Sequence, residues 1–379
     1  MHSSDFVRRI ESPGGERRTG RFMHLDLPLL LILLALCVVG LFVLYSASGQ
    51  NLFYVKRQAL WMIVGFAIMI TVAQFPVRFW DRWSFLLYTL GLLLLLAVLF
   101  FGVGAKGAQR WLDLGFTRVQ PSEFMKVAVP MMISSYLAKQ YSPPTLRPVL
   151  AVLFLIITPV IIVVRQPDLG TALLIFASGF YVIFLAGLRK RYLLGAALLA
   201  LAAIPTLWVF VMRDYQKQRI LTLLSPEDDK LGAGWNIIQS TTAIGSGGWN
   251  GKGWTLGTQS QLNFLPESHT DFIIAVLAEE FGLIGVLMLS GLYALLVGRC
   301  LLIAMHSQSQ FGRLIAGSLS LTFMTYVFVN MSMVSGILPV VGVPLPLISY
   351  GGTAIVTLFL GFGVLMAIST EPKRIRTDL

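Results

Sequence analysis

Five charged residues at the ends of apolar runs have side chains suited to proton transfer or to binding an anionic group. They are Arg110, Glu123, Lys126, Asp168 and Asp271. A carboxylate is a suitable general base for a hydroxyl group, while guanidinium and ammonium groups neutralise phosphate charge. Ionisable groups at membrane depth are costly and usually face a cavity or a partner. Together these residues indicate chemistry on a lipid-linked, anionic substrate.

The composition excludes a soluble protein. Of the 379 residues, 56% are hydrophobic and only 12% are charged, whereas soluble domains have about a quarter charged residues. Cys37 and Cys300 both fall inside apolar runs and lack the spacing of metal ligands, so they are interpreted as core residues. The net charge of +11 comes from basic residues in connections between apolar runs, which is typical of membrane topology and not of nucleic-acid binding.

About ten apolar runs approach the length of about 20 residues that a membrane-spanning helix needs. We therefore predict an all-α polytopic membrane protein. The predicted spans are Leu27–Ser46, Leu60–Gln74, Trp83–Phe101, Ser122–Ala138, Val149–Val164, Gly170–Leu188, Leu193–Met212, Gly282–Met305, Gly312–Ser335 and Tyr350–Ser369. Residues 25–369 form the membrane domain in this prediction. Between the seventh and eighth spans, residues 213–270 form a large extracytoplasmic loop.

The distribution of Lys and Arg predicts the orientation. Basic clusters occupy the N-terminal tail, alternate connections and the C-terminal tail, so both tails (1–24 and 370–379) are predicted to be cytoplasmic. Residues 1–24 are also predicted to be disordered. The opposite side keeps more basic residues than this rule expects, which an anionic ligand at the outer leaflet or the length of the outer loop would explain. These residues are Lys56, Arg57, Lys106, Arg110, Arg118, Arg165, Arg213, Lys217, Arg219, Lys230 and Lys252.

Each charged residue also has a simpler structural interpretation. Glu123 and Lys126 follow Pro121 on one face of a predicted helix, where they can form a pair that only satisfies itself. Arg110 precedes Trp111 and is either an interfacial anchor or a phosphate ligand. Asp168 is a natural N-cap for the sixth span.

Asp271 opens an apolar run that is too long for one span if it continues to Met305. We predict that the first part of this run is a half-helix at the outer interface. Asp271 is then either a reactive carboxylate or a first-turn residue that interacts with the helix dipole. His269 is a lone histidine and is not assigned to a metal site.

Two connections lack helical character. AIGSGGWNGKG does not match a phosphate-binding loop, because Lys252 is followed by Gly253; its glycines are expected to let the backbone fold closely against the membrane surface. The connection from Gly336 to Thr353 carries three prolines and no charge, which predicts non-helical backbone at membrane depth. Ser349 and Tyr350 there are candidates to line a sugar or lipid site, although loop packing explains them as well.

These stretches together resemble the SEDS family (shape, elongation, division and sporulation proteins). The matching segments are GAQRWLDLG, QPSE followed by Lys126, QPDLGTAL, LGAGWNIIQSTTAIGSGG, LPESHTDFIIAVLAEEFG and GILPVVGVPLPLISYGGT. The resemblance implies a peptidoglycan glycosyltransferase that polymerises lipid II during lateral wall growth. It also implies a class B penicillin-binding protein and other elongation-complex proteins as partners. Asp271 matches the family's catalytic aspartate, and Arg110, Glu123, Lys126 and Asp168 match polar residues of its central cavity.

The reaction can also be argued from its chemistry. The donor sugar leaves as a lipid pyrophosphate, so the enzyme needs a base for the acceptor hydroxyl, with Asp271 as the candidate. Charge on the pyrophosphate requires cations, either Arg110 and Lys126 or a bound Mg²⁺ or Mn²⁺. One base plus cations predicts inversion at the sugar. A lipid flippase, a scaffold that only recruits the penicillin-binding protein, and a division-specific member of the same family remain the alternatives.

Overall fold

The computed structural model describes residues 24–105, 108–113, 115, 117–188, 190–212, 214–229, 233–261 and 267–372. The two predicted tails lie outside these ranges, apart from residues 24 and 370–372. Outside them too are Lys106, Arg213 and Lys230. Within the described ranges the α-helices are α1 Leu27–Ala47, α2 Leu52–Ala73, α3 Val77–Phe101, α4 Pro121–Leu137, α5 Leu146–Arg165, α6 Leu169–Leu185, α7 Lys190–Thr206, α8 Asp214–Leu224, α9 Ala233–Gly247, α10 Thr258–Gln261, α11 Ile273–His306, α12 Gln310–Val334 and α13 Gly352–Ser369.

A helix lies at each of the ten predicted spans, so the chain is an all-α polytopic membrane protein. Seven of the described helices are long and apolar enough to cross a membrane, and α4, α6 and α7 are shorter. The predicted start of the second span was wrong, because α2 begins at Leu52, where the Asn51 side chain accepts a hydrogen bond from the Phe53 amide. Lys56 and Arg57 therefore lie on a helix and not in a connection.

The helices differ in how much of their surface is buried inside the protein. Large apolar side chains on α1, α2, α3 and α5 are exposed, as expected for helices that face lipid. By contrast, 72% of the apolar window of α12 is buried, and most residues of α4 are buried too. Polar groups on these two central helices are therefore shielded from lipid by the surrounding bundle.

The connection between α3 and α4 contains a small antiparallel sheet that the sequence analysis did not predict. Its strands are β1 Val103–Ala105, β2 Ala108–Asp113 and β3 Arg118–Val119. Asp113 pairs with Arg118 across β2 and β3. Since side chains alternate between the two faces of a strand, Arg110 points away from the side that carries Trp111 and Asp113.

The long run after Asp271 is divided in two, as predicted. Within α11, Gly282 has φ +64° and ψ −161°, which breaks the helix into residues 273–281 and a second segment that continues to His306. The predicted outer loop contains helices of its own, and α9 is tied to the end of α12 by a hydrogen bond from Ser240 Oγ to the Val334 carbonyl oxygen (2.8 Å).

The glycine-rich segment packs against the break in α11. Its predicted approach to the membrane surface stays a prediction. The backbone amides of Lys252 and Gly253 donate to the carbonyl oxygens of Glu279 and Glu280, at 3.0 Å each. In return, the Leu283 amide donates to the Gly248 carbonyl oxygen (2.9 Å). The polar backbone groups exposed by the break at Gly282 thus find partners, and the segment stabilises the end of the half-helix that follows Asp271.

We expect Gly251→Ala to destabilise this junction strongly. Gly251 has φ +77°, and an added Cβ would stand 2.1 Å from the Glu280 carbonyl oxygen. Gly248→Ala is the matched control, because Gly248 also has a positive φ (+57°) but no atom within 4 Å of an added Cβ. Thermal unfolding in detergent should show a loss of about 1 kcal/mol for the control, from strain alone, and a clearly larger loss for Gly251→Ala. Equal losses would contradict close backbone packing.

Candidate active site

Glu123 and Lys126 form a buried ion pair in the first turns of α4. Lys126 Nζ lies 2.7 Å from Glu123 Oε2, with side chains 10% and 8% exposed. The ammonium group also donates to the Tyr326 hydroxyl of α12 (3.0 Å) and lies 4.3 Å from the centre of that ring. The predicted pair is confirmed, and its connection to Tyr326 places it between two central helices.

Asp168 is the predicted N-cap of α6 and also a member of a polar cluster. Its Oδ1 accepts from the Thr171 amide (3.3 Å), and its Oδ2 accepts from Gln120 Nε2 (3.0 Å). Arg110 on β2 approaches the same carboxylate, with Nε 4.0 Å from Oδ2, and donates to the Pro167 carbonyl oxygen. The two interpretations of Asp168 are therefore compatible, since one oxygen caps the helix and the other faces the cluster.

Asp271 lies between the half-helix of α11 and the turn at Gly342. Its Oδ2 is 3.5 Å from the position that a Cβ on Gly342 would occupy. The buried Asn330 of α12 donates to the Asp271 carbonyl oxygen (2.9 Å). The structure thus joins Glu123 and Lys126 to Tyr326, and Arg110 to Asp168. Asp271 lies against Asn330 and Gly342.

Ser349 and Tyr350 hold the loop that follows α12. The buried Ser349 hydroxyl donates to the Thr270 carbonyl oxygen and accepts from the Leu345 amide (2.8 Å). The Tyr350 amide donates to the His269 carbonyl oxygen (3.0 Å). These contacts fix the backbone immediately before Asp271. The Tyr350 side chain also lines a cavity.

The cavity that Tyr350 lines has a volume of about 710 Å³. Its lining includes Thr270, the residue that precedes Asp271. Its lining combines two arginines, two tryptophans, hydroxyl groups and backbone amides. The residues are Arg57, Trp61, Val103, Gly104, Trp111, Asp113, Gly115, Thr117, Arg118, Thr270, Tyr350, Gly351, Gly352 and Thr353. On β2, Trp111 and Asp113 line this cavity, while Arg110 of the same strand contacts Asp168.

The ionisation of two lining residues follows from their neighbours. The Gly115 amide and the Arg118 guanidinium hold the pKa of Asp113 below its usual value, so Asp113 is ionised near neutral pH. Burial raises the pKa of the Tyr350 hydroxyl, while the charge of Arg57 opposes that shift. Tyr350 is therefore protonated near neutral pH and is able to donate a hydrogen bond to a ligand.

Sequence reasoning missed several residues that build the site. They are Gln58, Gln120, Tyr326 and Asn330. Gln58 Nε2 donates to the Ser349 carbonyl oxygen (2.9 Å), and its Oε1 accepts from the Gly351 amide (3.2 Å). Gln58 and Asn330 are fully buried amides inside apolar helices. This was the signal that could have identified them, because polar residues inside membrane helices usually face partners.

The carboxylates are arranged for hydrogen bonds and ion pairs and not for a metal ion. Among the described residues, no group of three or more His, Cys, Asp or Glu side chains is close enough to hold one. The oxygens of Glu123 and Asp168 already contact Lys126, Gln120 and the Thr171 amide. Both carboxylates are thus already engaged by protein groups.

The sequence between Leu27 and Arg374 matches the profile of the FtsW, RodA and SpoVE proteins, described as cell cycle proteins. The chain belongs to this family. It is the SEDS family that the motifs indicated, and the match covers nearly all of the membrane domain. Members of the SEDS family are therefore the proper comparison for the geometry described above.

Curated SEDS relatives are similar over almost their whole length. The chain is 54% identical over 351 residues to the peptidoglycan glycosyltransferase MrdB of Escherichia coli K12, covering 93% of this chain and 95% of that protein. It is 36% identical over 372 residues to the "Probable peptidoglycan glycosyltransferase FtsW" of Trichlorobacter lovleyi, covering 94% and 96%. Both relatives are named for glycosyl transfer.

Solved structures of SEDS proteins have the same fold. A chain from a peptidoglycan synthase complex that coordinates polymerization and crosslinking matches with a TM-score of 0.80 at 28% identity, covering 91% of this chain and 97% of that one. The Rod shape determining protein RodA of Thermus thermophilus matches with a TM-score of 0.70 at 27% identity, covering 92% and 98%. The helical arrangement is thus that of SEDS proteins.

Proposed function

We propose that the chain is an inverting peptidoglycan glycosyltransferase that polymerises lipid II into β-1,4 glycan strands on the outer face of the bacterial cytoplasmic membrane. The observation that carries this proposal is the location of Asp271. It directly follows Thr270, which lines the 710 Å³ cavity, and its backbone carbonyl oxygen accepts a hydrogen bond from the buried Asn330. The cavity is large enough for a sugar head group, and the names of the relatives agree with glycosyl transfer.

The mechanism needs one proton acceptor and a set of cations. Asp271 takes the proton from the acceptor's 4-hydroxyl as that oxygen attacks the anomeric carbon of the donor. The bond from the anomeric carbon to the pyrophosphate breaks on the opposite face, which inverts the configuration. The pyrophosphate leaves with the electron pair of that bond, and its charge is stabilised by neighbouring cations.

We assign contact with the pyrophosphate to Arg57 and Arg118, because both line the cavity. Arg110 and Lys126 do not line this cavity, and they contact Pro167, Glu123 and Tyr326 instead. They act by shaping the electrostatic field around Asp271, together with Glu123 and Asp168. Trp61 and Trp111 offer flat apolar surfaces for the sugar rings.

The proposal includes a partner and a cellular role. A class B penicillin-binding protein would supply crosslinking. In support, a chain with this fold belongs to a peptidoglycan synthase complex that coordinates polymerization and crosslinking. A role in elongation and rod shape is favoured over division, because identity is 54% to MrdB and 36% to the FtsW relative. Rescue of shape-defective but not division-defective cells would support the elongation role.

A flippase is the main alternative, and cavity sizes argue against it. The cavity next to the Glu123–Lys126 pair has a volume of only about 50 Å³ and is lined mainly by apolar side chains such as Phe323 and Phe362. The cavity bounded by Thr270 is more than ten times larger. A transporter needs a polar route through both halves of the bundle, whereas this asymmetry favours a site open to one side.

Polymer formation from purified lipid II tests the proposed function directly. The protein would be reconstituted with its penicillin-binding partner, and a β-lactam would block crosslinking. We expect glycan polymer from the wild-type complex. The absence of polymer, with the complex and substrate intact, would favour transport or scaffolding.

Arg57→Gln tests the assignment of the pyrophosphate ligands in the same assay. Loss of one charge-assisted contact is expected to raise KM for lipid II about tenfold. Lys56→Gln is the matched control, since Lys56 is the exposed neighbour on α2 and does not line the cavity. Equal KM values for the two variants would remove Arg57 from the site.

A further inference from the structure

Asn330 makes two hydrogen bonds that converge on the backbone around Asp271. The side chain is completely buried. Its Nδ2 donates to the Asp271 carbonyl oxygen (2.9 Å) and to the Val343 carbonyl oxygen (2.7 Å). Both protons of the amide are thus used. This fixes the orientation of the side chain, because in the flipped orientation the amide oxygen would face the two carbonyl oxygens.

The two carbonyl oxygens that accept these bonds belong to the two backbone segments that flank the Asp271 carboxylate. One is the backbone of Asp271 itself. The other follows Gly342, the turn residue with φ +73° that faces Asp271 Oδ2. A single buried side chain therefore links the backbone of Asp271 to the turn against which its carboxylate packs.

Helix α12, which carries Asn330, also connects Asp271 to the Lys126 ammonium group. Tyr326 and Asn330 are four residues apart on α12, so their side chains lie on one face. Tyr326 accepts a hydrogen bond from Lys126 (3.0 Å), while Asn330 holds Asp271. Since α12 is rigid over one turn, it determines how far Asp271 lies from Lys126.

We propose that Asn330 is a positioning residue that holds Asp271 in its reactive geometry. The inference rests on the proposed function, in which Asp271 is the general base. Asparagine is suited to the task because one nitrogen supplies two donors in a buried place. Serine would supply one donor, and leucine would supply none and leave both carbonyl oxygens without this partner.

The test measures kcat and KM for lipid II with the partner-bound protein. Asn330→Leu is expected to lower kcat about 100-fold, because a misplaced base loses its near-attack geometry. KM should change less than about threefold, since Asn330 does not line the substrate cavity. Asn330→Ser, which keeps one donor, should have an intermediate kcat.

Ser318→Ala is the control for general loss of stability. Ser318 lies on the same helix, is fully buried, and donates to the Ser178 carbonyl oxygen (2.6 Å). The control should keep kcat within about twofold even where its thermal stability falls as far as that of Asn330→Ser.

Each outcome supports or overturns the inference. A graded loss of kcat from serine to leucine, with KM and the control unchanged, supports positioning. Normal kcat in both Asn330 variants overturns it, and so does an equal loss of kcat in Asn330→Ser and Ser318→Ala. If Asn330→Leu does not fold, the kcat of Asn330→Ser, compared with that of Ser318→Ala, decides whether Asn330 is a positioning residue. Failure of the wild-type complex to form polymer would instead refute the proposed function.

Discussion

Asp271→Asn is expected to abolish glycan polymerisation while leaving the protein folded and bound to its partner. Asparagine has nearly the shape of aspartate, and Asn330 holds residue 271 through the backbone carbonyl oxygen, which the substitution leaves in place. The amide cannot accept the hydroxyl proton. Because general base catalysis contributes about 100- to 10,000-fold, the rate should fall by about a thousandfold or more.

The measurement compares polymer formation by the wild type and Asp271→Asn, each reconstituted with the partner and with crosslinking blocked. Asp228→Asn is the control, because it removes the same charge from an exposed residue in the connection between α8 and α9. Equal polymer from wild type and Asp271→Asn would keep the enzyme and reject Asp271 as its base.

Lys126→Met is expected to be severely destabilising as well as inactive. The substitution leaves Glu123 buried without its ionic partner (2.7 Å in the wild type), and removal of one member of a buried pair costs about 3–5 kcal/mol. Thermal unfolding in detergent would register this as a large decrease in Tm.

The double variant Glu123→Gln/Lys126→Met separates structure from function. Without the isolated charge, most of the stability should return, because a buried pair is often replaceable by neutral groups. Activity should not return, since the cation next to Tyr326 is still missing. A double variant with normal Tm and normal polymerisation would identify the pair as purely structural.

Much of the fold followed from local patterns. Apolar runs predicted helices at all ten spans, and the excess length after Asp271 predicted the break that occurs at Gly282. The start of α2 was placed too late, because Lys56, Arg57 and Gln58 interrupt the apolar run. A single hydrogen bond from the Phe53 amide to the Asn51 side chain begins that helix instead, and hydropathy does not register such a cap.

The sequence by itself determined the membrane class and the family, because hydropathy, charge and motif are properties of residue type and order. It also predicted the charged residues of the proposed site. Only the tertiary structure decided what those residues contact. Asn330 and Asp271 are 59 positions apart, and Lys126 and Tyr326 are 200 apart. The acceptors for Asn330 are backbone carbonyl oxygens, which every residue carries. No residue pattern marks such a contact, since it depends on how α11 and α12 pack.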